Sequence, residues 1–414
     1  MIDHTLLLHR VVGASRIEKI ALGLMAPMTQ GQLTMHMADG RRITLGDGID
    51  PLRATMHVHD AALFTRCLLF GDIGIGESFT AGEWTSPNLT NVIKWAVLNI
   101  GHAPFMSGST RSRALAGVLR SVNRIGHLLR DNSIAGSKRN IAAHYDLSEA
   151  FFRCFLDETL TYSAADFSTG AVTLADAQRA KYDRLAQAMH IGPSDHVLEI
   201  GGGWGGGALH LASHYGCRVT TVTVSAQQLA TMQRRISEAG LADRIDAQFC
   251  DYREVQGQFD KIFSIEMLEA VGHDHLPSFF ATCERVLKPD GIVGAQAILC
   301  PDSRYAELRR GVDWTQKHIF PGSLLLSIHA LTAAAGHSDL SLHSLFDLGL
   351  SYATTLSRWR QNFFAQLPAI RQTGFTDELI RTWDYYFSYC EAAFATRNIT
   401  VAQMIFSRPN NAKL

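Results

Sequence analysis

Val197-Leu198-Glu199-Ile200-Gly201-Gly202-Gly203-Trp204-Gly205-Gly206-Gly207 is the stretch that decides the fold. Its short apolar start reads as a buried strand, and the glycines that follow close a turn and open a helix. Glycines at such a turn let the backbone approach a ligand closely and aim amide N–H groups at it. Further strands are expected at 218–224, 261–265 and 291–296, with helical stretches such as 226–239 between them. That alternation is the βαβ signature of a parallel sheet with helices on both faces.

The chain has 414 residues, 46% hydrophobic and 19% charged, enough for two domains and too apolar for global disorder. Lys+Arg number 38 against 39 Asp+Glu, a net charge of −1, which argues against a protein that coats nucleic acid. No apolar run reaches the ~18 residues that a membrane-spanning helix needs. Seven scattered cysteines without a Cys-x-x-Cys pair suggest neither a disulfide framework nor a zinc site, and fit a reducing cytoplasm. Leu6-Leu7-Leu8, with Asp3 before it and Arg10 after it, makes a poor signal peptide.

Three regions follow from the pattern. Residues 1–108 read as a small mixed α+β domain. Within it Gln32-Leu33-Thr34-Met35-His36-Met37 alternates as a strand, Asp39-Gly40 turns, Arg42-Ile43-Thr44-Leu45 returns, and a helix lies near 61–70. Residues 109–140 form a basic linker. Leu115, Val118, Leu119, Val122, Ile125, Leu128 and Leu129 recur there at helical spacing, accompanied by Arg111, Arg113, Arg120, Arg124, Arg130, Lys138 and Arg139. It is either an amphipathic helix lying on anionic headgroups or, more plainly, a connecting helix that buries its stripe. Residues 141–414 hold the α/β sheet.

The order of motifs refines the cofactor. After the glycine turn, the next strand ends in Thr223-Val224-Ser225 rather than in the acid that grips an NAD ribose. Cys250-Asp251-Tyr252-Arg253 and then Phe263-Ser264-Ile265-Glu266 follow. This is the succession of an S-adenosylmethionine methyltransferase: glycine turn, ribose contact, an acid at the adenine edge, then a loop at the end of a strand. The fold class expected is therefore a Rossmann-like class I methyltransferase sheet, with the small domain preceding it.

Ala143-His144-Tyr145-Asp146-Leu147, Leu160-Thr161-Tyr162-Ser163, Ala177-Gln178-Arg179-Ala180-Lys181, Gly203-Trp204-Gly205-Gly206, Lys288-Pro289-Asp290-Gly291, His318-Ile319-Phe320-Pro321-Gly322 and Tyr352-Ala353-Thr354-Thr355-Leu356 together resemble the cyclopropane-fatty-acyl-phospholipid synthase family. Gly71–Ser78 and Gly82-Glu83-Trp84 resemble the amino-terminal domain of its bacterial phospholipid enzymes, so the likeness covers nearly the whole chain. The resemblance implies methyl transfer from S-adenosylmethionine to the double bond of an unsaturated acyl chain. The partners it implies are a phospholipid substrate, a membrane surface on the cytoplasmic side and a homodimer through the amino-terminal domain. It also implies cofactor contacts at Tyr162, Ser163, Gly201, Gly203, Thr223, Gln228 and Ile265, with Trp204 and Tyr252 at the same site and Asp251 near the adenine amine. Asp251 also reads as a plain helix cap. His144-Tyr145-Asp146 is expected to close over the methionine end.

Family members hold a bicarbonate ion among a cysteine, a glutamate, a histidine and a tyrosine. In this sequence the matching positions are Ala164, Glu269, Gln296 and Tyr352, so two of the four anchors are lost and a bicarbonate site is not expected. Where most members have a glycine, this chain has Glu266. A carboxylate built into the protein can occupy the volume and charge of the missing anion, whereas three anions together are costly in a dry pocket. The expectation is that Glu266 is the base, oriented by Glu269 and Tyr352, and that Glu266 and Glu269 share one helical turn. A base at this new place favours a methyl-branched, unsaturated product over a ring. The rival readings are ring formation by an atypical site, a silent lipid-binding homologue and methylation of a small soluble metabolite. His273 and His275 read as a helix-start pair rather than as metal ligands, and no metal is expected.

Overall fold

The structure is a computed structural model that describes residues 13–101 and 148–414. The linker at 109–140, His144-Tyr145-Asp146 and Leu6-Leu7-Leu8 lie outside the described residues. The chain divides into two compact units.

The first unit takes in described residues 13–101 together with Arg310–Ile319 and Arg371–Asn398, two segments from beyond residue 141. Its strands are β1 (Gln32–His36), β2 (Arg42–Leu45), β3 (Arg53–Val58) and β4 (Trp84–Thr85), ordered β2-β1-β3-β4. The expected hairpin is present. β1 and β2 pair antiparallel with Leu33 opposite Leu45, and the Asp39 carboxylate accepts from the Arg41 amide at 3.1 Å across the turn. The expected helix spans Ala62–Phe70. Trp84, Trp95 and Trp314 are fully buried in this unit. A Cβ on Gly76 would lie 2.3 Å from the Trp314 ring and 2.8 Å from Tyr385, so only glycine lets its helix approach those rings.

The second unit holds β5 (His196–Ile200), β6 (Arg218–Thr223), β7 (Ile245–Phe249), β8 (Phe259–Ile265), β9 (Leu287–Leu299), β10 (Ser341–Asp347) and β11 (Thr400–Ser407). Their order across the sheet is β10-β11-β9-β8-β5-β6-β7. The pairs from β7 to β9 are parallel, while β11 runs antiparallel to both β9 and β10. The period-two alternation of a strand feeds two cores. Leu198 and Ile262 face one, with Phe279 and Phe280 of the helix Leu276–Val286. Val197 and Phe263 face the other, with Tyr182, Leu185 and Ala186 of the helix Leu174–Ala188. The sheet doubles back at β5, which has β6 on one side and β8 on the other. Such a switch point opens a crevice at the carboxyl ends of the strands, where ligands bind in open α/β sheets. The glycine turn lies there at the end of β5, and Glu266 follows β8 on the adjacent strand. No helix among the described residues is long and apolar enough to cross a membrane.

Candidate active site

The turn after β5 is tied to its neighbour, because the Gly201 and Gly202 amides both donate to the Val222 carbonyl, at 3.1 and 3.2 Å. Gly201 has φ +85°, and a Cβ there would meet Met267 at 2.8 Å; at Gly203 a Cβ would meet nothing within 4 Å. The turn is thus closed toward the loop after β8 and open on its other side, a cradle that fits an extended ligand lying against the backbone. At the end of β6 the Thr223 hydroxyl donates to Gln228 Oε1 at 2.9 Å, and Ser225 caps the helix Ala226–Glu238. Asp251 follows β7. It caps a short turn through the Arg253 amide at 3.0 Å and accepts from the Arg253 guanidinium at 2.8 and 2.7 Å, so the capping reading is realised and an ion pair is added to it. Tyr252 packs on Phe279, and Ile265 is half-buried against the second core.

Aromatic rings connect the glycine turn to the acid. Trp204 lies 5.5 Å from Phe152, Phe152 lies 5.2 Å from Tyr162, Tyr162 lies 5.2 Å from Trp359, and Trp359 lies 6.1 Å from Tyr352. Tyr352 belongs to the helix Gly349–Ala365, whose Ser351 and Thr355 hydroxyls accept from the amides of Phe167 and Ala165, each at 3.1 Å. The segment after Tyr162 and this helix are therefore held together.

Glu266 sits where they meet. Its Oε1 accepts from the Ala164 amide at 2.8 Å and from Gln296 Nε2 at 2.7 Å, and its Oε2 accepts from the Tyr352 hydroxyl at 2.8 Å. Gln296 is held in turn by Gln403 Nε2, which donates to its Oε1 at 3.0 Å and to the Lys181 carbonyl at 2.9 Å. Three of the four expected catalytic residues, Glu266, Gln296 and Tyr352, thus share one hydrogen-bonded cluster. Burial pushes the Glu266 carboxyl up from its ordinary value, opposed first by the charge of Lys181 and then by the three donors.

Glu269 differs from expectation. Glu266 does not stand on a helical turn: it leaves β8 with φ +48°, a left-handed conformation, and only then does the turn Leu268–Ala270 begin. The two carboxyls therefore do not share a helix face. Glu269 Oε1 accepts from the Ile298 amide, while its Oε2 is buried without a hydrogen-bond partner. Glu269 does not bond Glu266, but it feels it. Burial, and then the charge of Glu266, push its carboxyl up to about 8. A carboxyl so placed holds its proton near neutrality, which leaves Glu266 as the charged partner.

The pattern singled out no role for Lys181 or Gln403. Lys181 is fully buried, and its Nζ donates to the Ser163 hydroxyl at 2.6 Å. Ser163, expected at the cofactor, thus also holds a cation. The signal was present in the sequence: Leu174, Ala177, Gln178, Lys181, Tyr182 and Leu185 form one buried helical stripe with a glutamine and a lysine in it. His273 and His275 lie in the turn before the helix Leu276–Val286, with His273 Nδ1 2.7 Å from the Tyr305 hydroxyl. All seven cysteines are free.

A parallel sheet that reverses at β5, a glycine turn at its carboxyl edge and an aromatic wall define a class I methyltransferase. Comparison with known proteins narrows the class. A model of the mycolic acid cyclopropane synthetase family matches residues 133–404, and the chain belongs to that family. It is an S-adenosylmethionine-dependent methyltransferase. The chain is 37% identical to the tuberculostearic acid methyltransferase UfaA1 of Mycobacterium tuberculosis, over 89% of this chain and 87% of the relative. It is 32% identical to the cyclopropane-fatty-acyl-phospholipid synthase of Escherichia coli, over 86% and 88%. The crystal structure of the mycolic acid cyclopropane synthase CmaA1 complexed with SAH and CTAB superposes with a TM-score of 0.60 at 26% identity, covering 66% of this chain and 98% of that one.

Proposed function

We propose that the protein methylates the double bond of an unsaturated fatty acyl chain carried on a phospholipid, with Glu266 as the base and a methyl-branched, unsaturated chain as the product. Methylation or cyclopropanation of unsaturated acyl chains is the common activity of the relatives it matches. The observation that carries the finer reading is the set of three donors around Glu266. They are the partners that a small bound anion would take, and a protein carboxylate has them instead.

When bound, S-adenosylmethionine supplies a sulfonium methyl: the alkene π pair forms the new C–C bond, and the C–S pair stays on sulfur. Positive charge is then left on the other alkene carbon. Glu266 accepts a proton from a chain carbon next to that charge, and the C–H pair becomes the new double bond. Taking the proton from the added methyl would close a ring instead, so the direction in which the carboxylate faces selects the product. Ala164, Gln296 and Tyr352 fix that direction. The rings of Tyr162, Trp359 and Tyr352 exclude water and present faces that favour a cation.

The test uses labelled S-adenosylmethionine and monounsaturated phosphatidylcholine or phosphatidylglycerol vesicles, with the acyl product identified by mass spectrometry. A methyl-branched alkene supports the reading. A cyclopropane or a hydroxylated branch overturns the product, and no transfer to lipid overturns the substrate.

A further inference from the structure

We propose that Lys181 is a positioning residue for the base: a buried cation, tied through Ser163 to the segment that holds Glu266, that keeps the Glu266 carboxylate charged and in place. This rests on Glu266 being the base. An ammonium is strongly hydrated, and burying one costs free energy unless a charge answers it. Lys181 is 0% exposed, and among the described residues its Nζ has no carboxylate oxygen within ion-pair reach. Its hydrogen bond goes to the Ser163 hydroxyl at 2.6 Å, and its ammonium lies 4.5 Å over the Tyr182 ring. A neutral leucine or methionine would suit this stripe of the helix better if packing were all that mattered.

What surrounds Lys181 explains the lysine. Ser163, which takes the ammonium, is followed by Ala164, whose amide holds Glu266 Oε1. The Ser163 carbonyl is pinned by Gln178 Nε2 at 2.9 Å, from the same helix as the lysine. The Lys181 carbonyl accepts from Gln403, which orients Gln296 so that its amide nitrogen faces Glu266. One helix therefore holds both the peptide and the amide that donate to the carboxylate, and places a positive charge close behind them. The groups that bear on Glu266 are Lys181, Glu269 and Tyr352; those that bear on Lys181 are Glu266 and Asp157, with Tyr182 beside it. Of the groups around Glu266, Lys181 alone is a cation.

The experiment measures kcat against pH with saturating S-adenosylmethionine and monounsaturated phospholipid vesicles, for the full-length protein and for Lys181→Met. The ascending limb should move up by one unit or more. Turnover at pH 7 should fall at least tenfold and be largely regained at higher pH, with the product and S-adenosylmethionine affinity unchanged. A limb that stays in place, or an equal loss at every pH, overturns the proposal and leaves Lys181 a structural residue. Should Lys181→Met not fold, Lys181→Gln keeps a donor for Ser163 without the charge, and the same shift is required of it. Glu266→Gln separates the two claims. If it stays active, the base is misassigned; if it is inactive while Lys181→Met has an unshifted profile, only the role of the lysine fails.

Discussion

The Tyr352 hydroxyl donates to Glu266 Oε2 at 2.8 Å, across 86 residues of sequence and from a different element. That bond aims the carboxylate from one side, while Ala164 and Gln296 hold the other oxygen. Replacing Tyr352 by Phe should lower kcat by roughly 10- to 100-fold, the worth of one hydrogen bond to a charged group. S-adenosylmethionine affinity, measured by calorimetry, should change little. A loss confined to affinity would show that the tyrosine serves the cofactor instead.

Glu266→Gln keeps the size of the side chain and removes its ability to accept a proton. Turnover should fall by at least ~10³-fold while S-adenosylmethionine still binds. Glu266→Asp, one methylene short of Tyr352 and Gln296, should keep a small residual rate and release a different mixture of products, read by mass spectrometry.

The substituted anion pocket can be rebuilt. The triple change Glu266→Gly, Ala164→Cys and Gln296→His restores the groups that the family resemblance places around bicarbonate. That variant should become dependent on added bicarbonate and shift toward cyclopropane product. Activity in this variant without bicarbonate would contradict the idea that Glu266 stands in for the ion.

Gly201→Ala should impair cofactor binding before it impairs the fold. Its φ of +85° is in the left-handed region, and the added Cβ would press on Met267 at 2.8 Å. An increase of ~10-fold or more in Kd for S-adenosylmethionine, with a cooperative melting curve, is the expected result.

Stability should depend on pH in a stated direction. The Glu269 carboxyl is raised to about 8 and that of Glu199 to about 7, chiefly by burial, so the folded state binds protons that the unfolded state has released. That contribution is complete below the ordinary glutamate range near 4.5 and is lost as pH rises toward 8. Lys181, lowered to about 7 by burial, acts in the opposite direction only above pH 7. Tm should therefore fall between pH 5 and 7 by roughly several degrees, and Glu269→Gln should flatten that slope. A rising Tm over this interval would contradict the assignment.

The sheet was legible because its signals are local. Alternating apolar residues such as Val197 and Leu198 go to opposite cores, and the glycine turn marks the end of β5. The cluster of Glu266, Gln296 and Tyr352 came from motif positions that the family resemblance assigns, and folding brings them together. What escaped was what depends on backbone path. A three-residue spacing suggested a helical turn for Glu266 and Glu269, but the left-handed step at Glu266 breaks that periodicity before the next turn begins. Gln403 escaped for another reason: it reaches Gln296 only because β11 pairs antiparallel with β9, a register that no local pattern in either strand reveals.

The amino-terminal unit draws Arg310–Ile319 and Arg371–Asn398 out of the later sequence, and their Trp314 and Tyr385 pack against Gly76. The polypeptide therefore passes from one unit to the other several times. A gene fragment cut at the obvious junction would carry the catalytic half but would strip a tryptophan and a tyrosine of their covering. Such a fragment should aggregate on expression, and the two halves supplied as separate chains would have to thread together to regain solubility.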